Sequence, residues 1–176
     1  MTAPARAPQP RRVVLALGSN LGDRLENLQG AVDALFDAPG FDFRALSPVY
    51  QTRPVGGPEQ PDYLNAVITA DTALPARTIL DRAHGVEEAF QRVREVPWGP
   101  RTLDVDLIVV GDEVSDDPEL TLPHPRAHER AFVLAPWHDI EPDAEIPGRG
   151  RVAELLGAAG LDGVRRADGS GLHPPA

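Results

Sequence analysis

The chain has 176 residues and a formal net charge of −10 at pH 7. Its length suits one domain with a sizeable core, and its acidic balance argues against non-specific binding of nucleic acid. It contains no cysteine, which excludes disulfides, thiolate catalysis and cysteine-ligated metals. No apolar run approaches the roughly 20 residues that a membrane span needs, so we expect a cytoplasmic protein with no membrane partner.

Composition divides the chain into three segments. Residues 1–12 are rich in Pro and Arg and lack the apolar middle of a signal peptide, so we predict a flexible leader. Residues 13–157 carry the regular apolar patterns and are predicted to form a single domain. Residues 158–176 are rich in Gly and Ala and are predicted to be a disordered tail.

Strand and helix patterns alternate along the domain. Clusters of apolar and β-branched residues predict strands, and apolar residues repeating every three or four positions predict helices. Asp23 is the predicted N-cap of the first helix, and Pro75 begins the second. In chain order, the sequence predicts a strand at 13–17, a helix at 24–36, strands at 41–50 and 63–72, a helix at 75–90, a strand at 103–110, short elements near 113–114 and 121–124, and helices at 131–137 and 152–156.

The order β-α-β-β-α-β is that of a ferredoxin-like α+β fold, with one antiparallel sheet and both helices on one face. The remaining short strands and helices are additions to this core. We expect the opposite face of the sheet to stay free for a site built from loops at the strand ends. Residues 51–62, QTRPVGGPEQPD, are too rich in Pro and Gly for a regular element and predict a long loop of functional interest.

An apolar strand that carries two aspartates is the first functional signal, in the stretch WGPRTLDVDLIVV at residues 98–110. Because side chains alternate along a strand, Asp104 and Asp106 share one face, with Cα atoms roughly 6.5–7 Å apart. Two carboxylates on one face repel each other and lose hydration. A bound cation, a cluster of arginines or exposure to water must compensate. The other face, towards the core, is predicted to carry Leu103, Val105, Leu107 and Val109.

Arginines surround this strand. The chain has no lysine, and Arg92, Arg94 and Arg101 precede the aspartates, while Arg126 and Arg130 follow them. The planar guanidinium matches the geometry of phosphate oxygens. In an acidic chain, this local basic group predicts a site for a small polyanion.

Four segments together resemble the 6-hydroxymethyl-7,8-dihydropterin pyrophosphokinase family. They are LALGSNLGDR (15–24), SPVYQTRPVGGPEQPDYLNAV (47–67), RVREVPWGPRTLDVDLIV (92–109) and LPHPRAHERAFVLAPW (122–137). The motif WGPRTLDxD followed by PH(x5)R is specific in combination, and the resemblance extends over residues 13–147. It implies a ferredoxin-like fold and transfer of the β,γ-pyrophosphate of ATP to a pterin hydroxymethyl group with two Mg²⁺ ions.

The resemblance also implies roles in the nucleotide half of the site. Asp104 and Asp106 would hold both magnesium ions against the phosphates, and Arg92 and Arg94 would act in catalysis by closing over the triphosphate. Trp98 would seal the site from water, although by itself it is also typical of a core residue. The remaining nucleotide contacts that the resemblance implies are Glu87, Arg101, Leu107, Thr121, His124 and Arg130, with His124 as a donor to a phosphate rather than a simple turn residue.

In the pterin half, the resemblance implies that Tyr63 and Phe132 stack on the two faces of the ring and that Asn65 reads its amide and amino edge. A flat heterocycle needs π faces above and below and a hydrogen-bonding group in its plane. From the residues alone, both aromatic residues are more typical of a core. Strand alternation places Asn65 on the same side as Tyr63. Backbone groups of Thr52, Arg53 and Val55 would complete the pocket, and the turn from Gly18 to Gly22 is interpreted as structural.

Two other functions fit part of the sequence. A nucleotidyl transferase could use two strand aspartates and two metals on the same fold, but it would attack the α-phosphorus and release pyrophosphate. A non-catalytic domain that binds a small ligand would not need paired aspartates flanked by arginines. The expected partners are small molecules only, ATP and 6-hydroxymethyl-7,8-dihydropterin, and we expect a monomer. The expected reaction is direct in-line attack on the β-phosphorus, catalysed by positioning and electrostatics.

Overall fold

A main sheet of six strands organises the fold. The computed structural model describes residues 9–54, 57, 59–90, 102–169 and 171–175. A 3₁₀ turn at Ala127–Glu129 precedes the third helix. In chain order the strands and helices are β1 Arg11–Ser19, α1 Arg24–Asp37, β2 Asp42–Leu46, β3 Tyr50–Thr52, β4 Tyr63–Thr72, α2 Ala76–Phe90, β5 Asp104–Val110, β6 Ser115–Asp117, β7 Leu120–Leu122, α3 Ala131–Ile140, β8 Glu145–Ile146, β9 Gly150–Arg151, α4 Val152–Ala159 and β10 Val164–Arg166.

The main sheet has the order β10-β3-β4-β1-β5, and β2 pairs with β4 beyond the end of β3. All of these pairings are antiparallel. The predicted strand at 41–50 is thus two strands, because Pro48 has no N–H to donate to the ladder. Ser47 lies at the break and holds it to β4: its N–H donates to the Val67 carbonyl at 2.9 Å, and its Oγ accepts the Val67 N–H at 2.8 Å. The ferredoxin-like prediction is confirmed.

One face of the sheet is covered by α1 and α2, as predicted. The Asp23 carboxylate accepts the Glu26 N–H at 3.1 Å, which confirms the predicted N-cap of α1. The buried apolar stripes of the two helices pack with β1, β4 and β5 in the larger of two cores. Those stripes consist of Leu28, Ala31, Val32 and Leu35 in α1 and Ala76, Ile79, Ala83 and Val86 in α2.

The opposite face carries a second, smaller core. Val133, Leu134 and Trp137 of α3 are buried there against strand residues that include Val14 and Val67. The expectation that this face stays free is therefore wrong for the part beneath α3, whose strongly apolar sequence needs a surface to cover. Within the part of the chain that the structure describes, no helix is both long and apolar enough to cross a membrane.

A β-bulge changes the face of residues late in β5. Val14 pairs with Val109 and Leu15 pairs with Leu107, which leaves Ile108 as the extra residue. Leu103, Val105 and Leu107 belong to the larger core, as predicted, but Val109 packs in the second core beneath α3. The predicted face of Val109 is wrong because simple alternation does not anticipate the inserted residue.

The C-terminal segment differs from the predicted disordered tail. Residues Val164–Arg166 pair with β3 and form the edge strand of the main sheet. Beyond it, the Ala167 N–H donates to the Val49 carbonyl at 2.8 Å, and the His173 N–H donates to the Gln29 side chain at 2.8 Å. A segment can pair its backbone with the edge of a sheet without an apolar sequence pattern. Composition therefore predicted disorder for a segment that pairs with β3.

Candidate active site

A row of directly paired residues crosses the sheet at one end of the face opposite α1 and α2. Tyr50 of β3 pairs with Asn65 of β4, Asn65 pairs with Gly18 of β1, and Gly18 pairs with Asp104 of β5. Directly paired residues on neighbouring strands point to the same side of a sheet. The register therefore places Asn65 and Asp104 on one face, with the glycine between them.

Asp106 extends this row on the same side. It pairs with Ala16, which belongs to the core beneath α3 and so identifies the face. Both aspartates are half-buried, whereas Val105 between them is 3% exposed and packs in the larger core. Small residues thus stand beside both carboxylates on β1, which leaves room for a ligand above that strand. The prediction that the two aspartates share a face is borne out by the register.

The donor set suits a hard cation that also binds a substrate. Among the described residues, no group of three or more His, Cys, Asp or Glu side chains could hold a metal ion. Magnesium commonly takes only one or two carboxylates and completes its shell with water and substrate phosphates. Asp104 and Asp106 fit such a shared site, in which ATP would supply the remaining ligands.

Glu87 contacts the backbone between the two aspartates. Its carboxylate accepts the Val105 N–H at 3.1 Å from the end of α2. β5 is an edge strand of the sheet, and this bond links the backbone of the aspartate strand to α2. The role predicted for Glu87 in nucleotide binding stays a prediction.

Asn65 is buried and held in one orientation. Its side chain is 7% exposed, and its Oδ1 accepts the Thr52 hydroxyl proton at 2.7 Å. Tyr63, two residues earlier on β4, lies on the same side: its Cδ1 would be 3.5 Å from a Cβ at position 18. The structure therefore brings Thr52, Tyr63 and Asn65 together, and their contact with a pterin stays a prediction.

Gly18 is a site residue that the sequence analysis missed. It lies within β1 rather than in the turn that follows, and a Cβ at this position would be 2.9 Å from Asn65 Nδ2. Only a glycine leaves space for the asparagine side chain at this point. The available signal was a glycine inside an apolar strand, which often marks a close approach.

The turn after β1 and the start of α1 contact both halves of the site. Asn20 Nδ2 donates to the Pro61 carbonyl at 3.0 Å, and Arg24 Nη1 donates to the Asp62 carbonyl at 2.8 Å, so both contact the loop before β4. Asn27 Nδ2 donates to the Thr102 carbonyl at 3.3 Å, at the entrance to β5. Asn20 of the turn, with Arg24 and Asn27 of α1, thus joins the loop before β4 to the start of β5.

His124 follows β7 and is fixed at two points. Its N–H donates to the Ile108 carbonyl at 2.8 Å, and its Nδ1 accepts the Arg126 N–H at 3.2 Å. Burial, followed by the charges of Arg130 and Arg126, lowers the pKa of His124 to about 4. The neutral ring therefore carries its proton on Nε2, as a donor beside two arginines. This arrangement suits the phosphate contact that the resemblance implies.

Arg130 and Phe132 lie together at the start of α3. The Arg130 guanidinium carbon is 5.5 Å from the centroid of the Phe132 ring, within cation–π range. Phe132 is partly buried against the second core, and therefore lies on the same face of the sheet as the aspartates. With the arginine over one face of this ring, a stacked heterocycle would use the other.

Three predicted contacts involve groups that are buried or already form hydrogen bonds. The Leu107 side chain is buried in the core on the helix side, so its contact with a nucleotide would involve the backbone. The Thr121 hydroxyl donates to the Asp117 carbonyl at 3.0 Å, and the Arg53 N–H donates to the Gly163 carbonyl at 3.1 Å. The predictions for Val55, Arg92, Arg94, Trp98 and Arg101 fall on residues outside those that the structure describes.

Comparison with known proteins identifies the family of the chain. The profile of the family described as 7,8-dihydro-6-hydroxymethylpterin-pyrophosphokinase (HPPK) matches residues 14–142. The chain is 40% identical over 160 residues to 2-amino-4-hydroxy-6-hydroxymethyldihydropteridine pyrophosphokinase of Pseudomonas aeruginosa, covering 91% of this chain and 99% of that protein. It is 45% identical over 171 residues to the protein of the same name from Mycobacterium tuberculosis, covering 88% of each.

A solved structure supports the fold alone. Wild-type HPPK-DHPS of Plasmodium falciparum, with pterin and p-hydroxybenzoate, superposes with a TM-score of 0.66 at 12% identity. The match covers 92% of this chain and 46% of that one. The family match and the named relatives define an enzyme of the diphosphotransferase class. The chain belongs to the 7,8-dihydro-6-hydroxymethylpterin-pyrophosphokinase family.

Proposed function

We propose that the chain transfers the β,γ-pyrophosphate of ATP to 6-hydroxymethyl-7,8-dihydropterin on the sheet face that carries Asn65 and Asp104, a step in folate biosynthesis. The family and its named relatives support this reaction. The observation that carries the assignment of the site is the row Asn65–Gly18–Asp104. Two strand spacings, roughly 10 Å, separate the ends of the row, and a flat two-ring substrate can bridge that span.

The aspartates form the nucleotide end of this proposal. Asp104 and Asp106 would hold two Mg²⁺ ions, which supply charge neutralisation at the transferring phosphates when bound. Glu87 holds the backbone between the aspartates, so the two carboxylates stay on one face when a ligand arrives. His124 donates from Nε2 to a phosphate oxygen without adding charge, and Arg130 supplies charge nearby. Arg92 and Arg94 keep their predicted catalytic role.

Asn65 forms the pterin end. Its Oδ1 accepts from Thr52, which leaves the amide in a defined orientation towards the edge of a substrate ring. Tyr63 and Phe132 would supply the two stacking faces. A pterin held in this way directs its hydroxymethyl group across Gly18 towards the aspartates. Positioning of the two substrates, rather than a covalent intermediate, then accounts for catalysis.

Product identification tests the reaction class. Incubation of the chain with ATP, Mg²⁺ and 6-hydroxymethyl-7,8-dihydropterin should yield AMP and the pterin diphosphate. Release of inorganic pyrophosphate with a nucleotidylated pterin would instead identify the rival nucleotidyl transferase. Absence of ATP turnover with this pterin would favour a binding domain. We also propose that the enzyme is cytoplasmic and monomeric, and sedimentation of the purified chain can check the monomer.

A further inference from the structure

A cluster of three polar side chains joins three elements beside the candidate pterin pocket. The Tyr50 hydroxyl of β3 donates to Asp139 Oδ2 of α3 at 2.5 Å. Arg166 of β10 reaches the other carboxylate oxygen, Oδ1, at 3.1 Å. Arg166 Nε also donates to the Tyr50 hydroxyl oxygen at 3.4 Å. Each member of this cluster, called the Tyr50 triad below, contacts both of the others.

Two of the three residues of the Tyr50 triad are largely buried. Tyr50 is 7% exposed, and the side chains of Asp139 and Arg166 are 19% and 62% exposed. Burial, followed by the bond to Asp139, raises the pKa of Tyr50, so its hydroxyl stays protonated and acts as the donor. Burial of a carboxylate costs free energy unless it is paired with a positive charge. Arg166 supplies that charge to Asp139.

Two geometric relations connect the triad to the candidate pocket. Tyr50 pairs directly with Asn65 across the two strands, so both side chains lie on one side of the sheet. Asp139 follows Phe132 by seven residues in α3, which places the two residues two turns apart on the same face of the helix. The Tyr50–Asp139 bond therefore joins the strand pair that carries Asn65 to the helix face that carries Phe132.

We propose that the Tyr50 triad positions α3 against β3 and β4 and so sets the width of the slot between Phe132 and Asn65. The proposal rests on the proposed pterin site. None of the three residues contacts the substrate; they act through the elements that carry its ligands. Arg166 lies beyond residues 14–142, where the family profile matches, so the C-terminal strand adds a positioning residue for the reaction.

The apolar core limits what the triad can do. Val133, Leu134 and Trp137 are at most 1% exposed beneath α3, and this packing holds the helix on the sheet without the triad. Loss of the triad should therefore leave the fold in place and change only the fine position of the helix. Pterin affinity should respond, because stacking and in-plane hydrogen bonding both depend on a slot of fixed width.

The test compares two neighbouring arginines of β10. Arg166→Ala removes the triad charge, and Arg165→Ala is the control: it changes the net charge equally, its side chain is similarly exposed at 61%, and it contacts Gln51 instead. Pterin binding is titrated with Mg²⁺ and a non-hydrolysable ATP analogue present. We expect Arg166→Ala to bind pterin about three- to tenfold more weakly, with nucleotide affinity unchanged. Arg165→Ala should match the parent, and Arg166→Lys should recover part of the loss.

Tyr50→Phe is the second variant, because it keeps the buried ring and removes only the hydroxyl. It should raise the KM for pterin more than it lowers kcat. Parental pterin affinity in both Arg166→Ala and Tyr50→Phe, while Asn65→Ala is weakened, would overturn the proposal and leave the pterin site standing. Equal loss of pterin and nucleotide affinity with a lower Tm would show a general structural role and overturn it too. Parental pterin affinity in Asn65→Ala would reject the pterin site itself, and the triad proposal with it.

Discussion

Gly18→Ala is the most direct test of the candidate pterin pocket. The new Cβ would be 2.9 Å from Asn65 Nδ2, a separation that real Cβ contacts essentially never show. The Thr52 hydroxyl restrains Asn65 at 2.7 Å, and the asparagine is 7% exposed, so it cannot simply swing into solvent. The Asn65 amide must turn away from the position that would read the pterin edge.

The expected effects on stability and on binding differ in size. Alanine restricts the unfolded chain more than glycine, which stabilises by about 0.4–1 kcal/mol where the backbone conformation allows it. A strained or lost Thr52–Asn65 hydrogen bond costs about 1 kcal/mol. The free energy of unfolding should therefore change by less than about 1 kcal/mol, because these two contributions oppose each other. Loss of the asparagine contact should cost about 1–3 kcal/mol in pterin binding, roughly ten- to a hundredfold in affinity.

Calorimetric titration of pterin, with Mg²⁺ and a non-hydrolysable ATP analogue present, measures the expected loss. Thermal unfolding and nucleotide titration of the same variant report on the fold and on the other half of the site. Gly85→Ala is the matched control, since a Cβ at this exposed position of α2 meets nothing within 4 Å. It should leave both affinities unchanged. Parental pterin affinity in Gly18→Ala would refute the assignment of Asn65 to the pterin edge.

Three further predictions concern the phosphate half. Asp104→Ala and Asp106→Ala should each abolish most turnover and leave Tm near the parental value, because each removes a metal ligand and also relieves like-charge repulsion; near-normal turnover in either would reject the metal assignment. In Arg92→Ala or Arg94→Ala, turnover should fall far more than ATP affinity, the mark of a transition-state contact, whereas equal losses would indicate an ordinary ground-state contact. In the folded chain, the pKa of His124 is lowered from 6.5 to about 4. As the pH falls, His124 is therefore protonated in the unfolded chain before it is protonated in the folded chain. Stability should thus be lost between pH 6.5 and 4, by about 1–2 kcal/mol after allowance for partial exposure. His124→Gln should flatten that part of the curve of unfolding free energy against pH, and identical curves would contradict the assigned environment.

The two central signals of the site were readable from the sequence. Alternation in β5 placed Asp104 and Asp106 on one face, and the register with β1 confirms it. The same rule placed Asn65 on the side of Tyr63. These inferences succeeded because alternation is a local property of an extended backbone, independent of what packs on the strand. The residues outside the described part of the chain, including Arg92 and Arg94, remain known from the sequence alone.

The residues that the sequence did not reveal depend on neighbours distant in the chain. Gly18 matters because Asn65 occupies the space above it, and Val109 changes face because an extra residue in β5 is accommodated against β1. Arg166 acquires a role only through Tyr50 and Asp139, more than twenty-five residues away in the chain.

The sequence by itself determined the β-α-β-β-α-β order of the core, the cap at Asp23 and the shared face of the two aspartates. Each of these follows from hydrogen bonding and side-chain alternation within a few residues. Only the tertiary structure decided that α3 covers part of the second face and that β10 closes the sheet beside β3. Both depend on which surfaces and strand edges remain available after the rest of the chain has packed. A local sequence pattern does not predict these surfaces and edges.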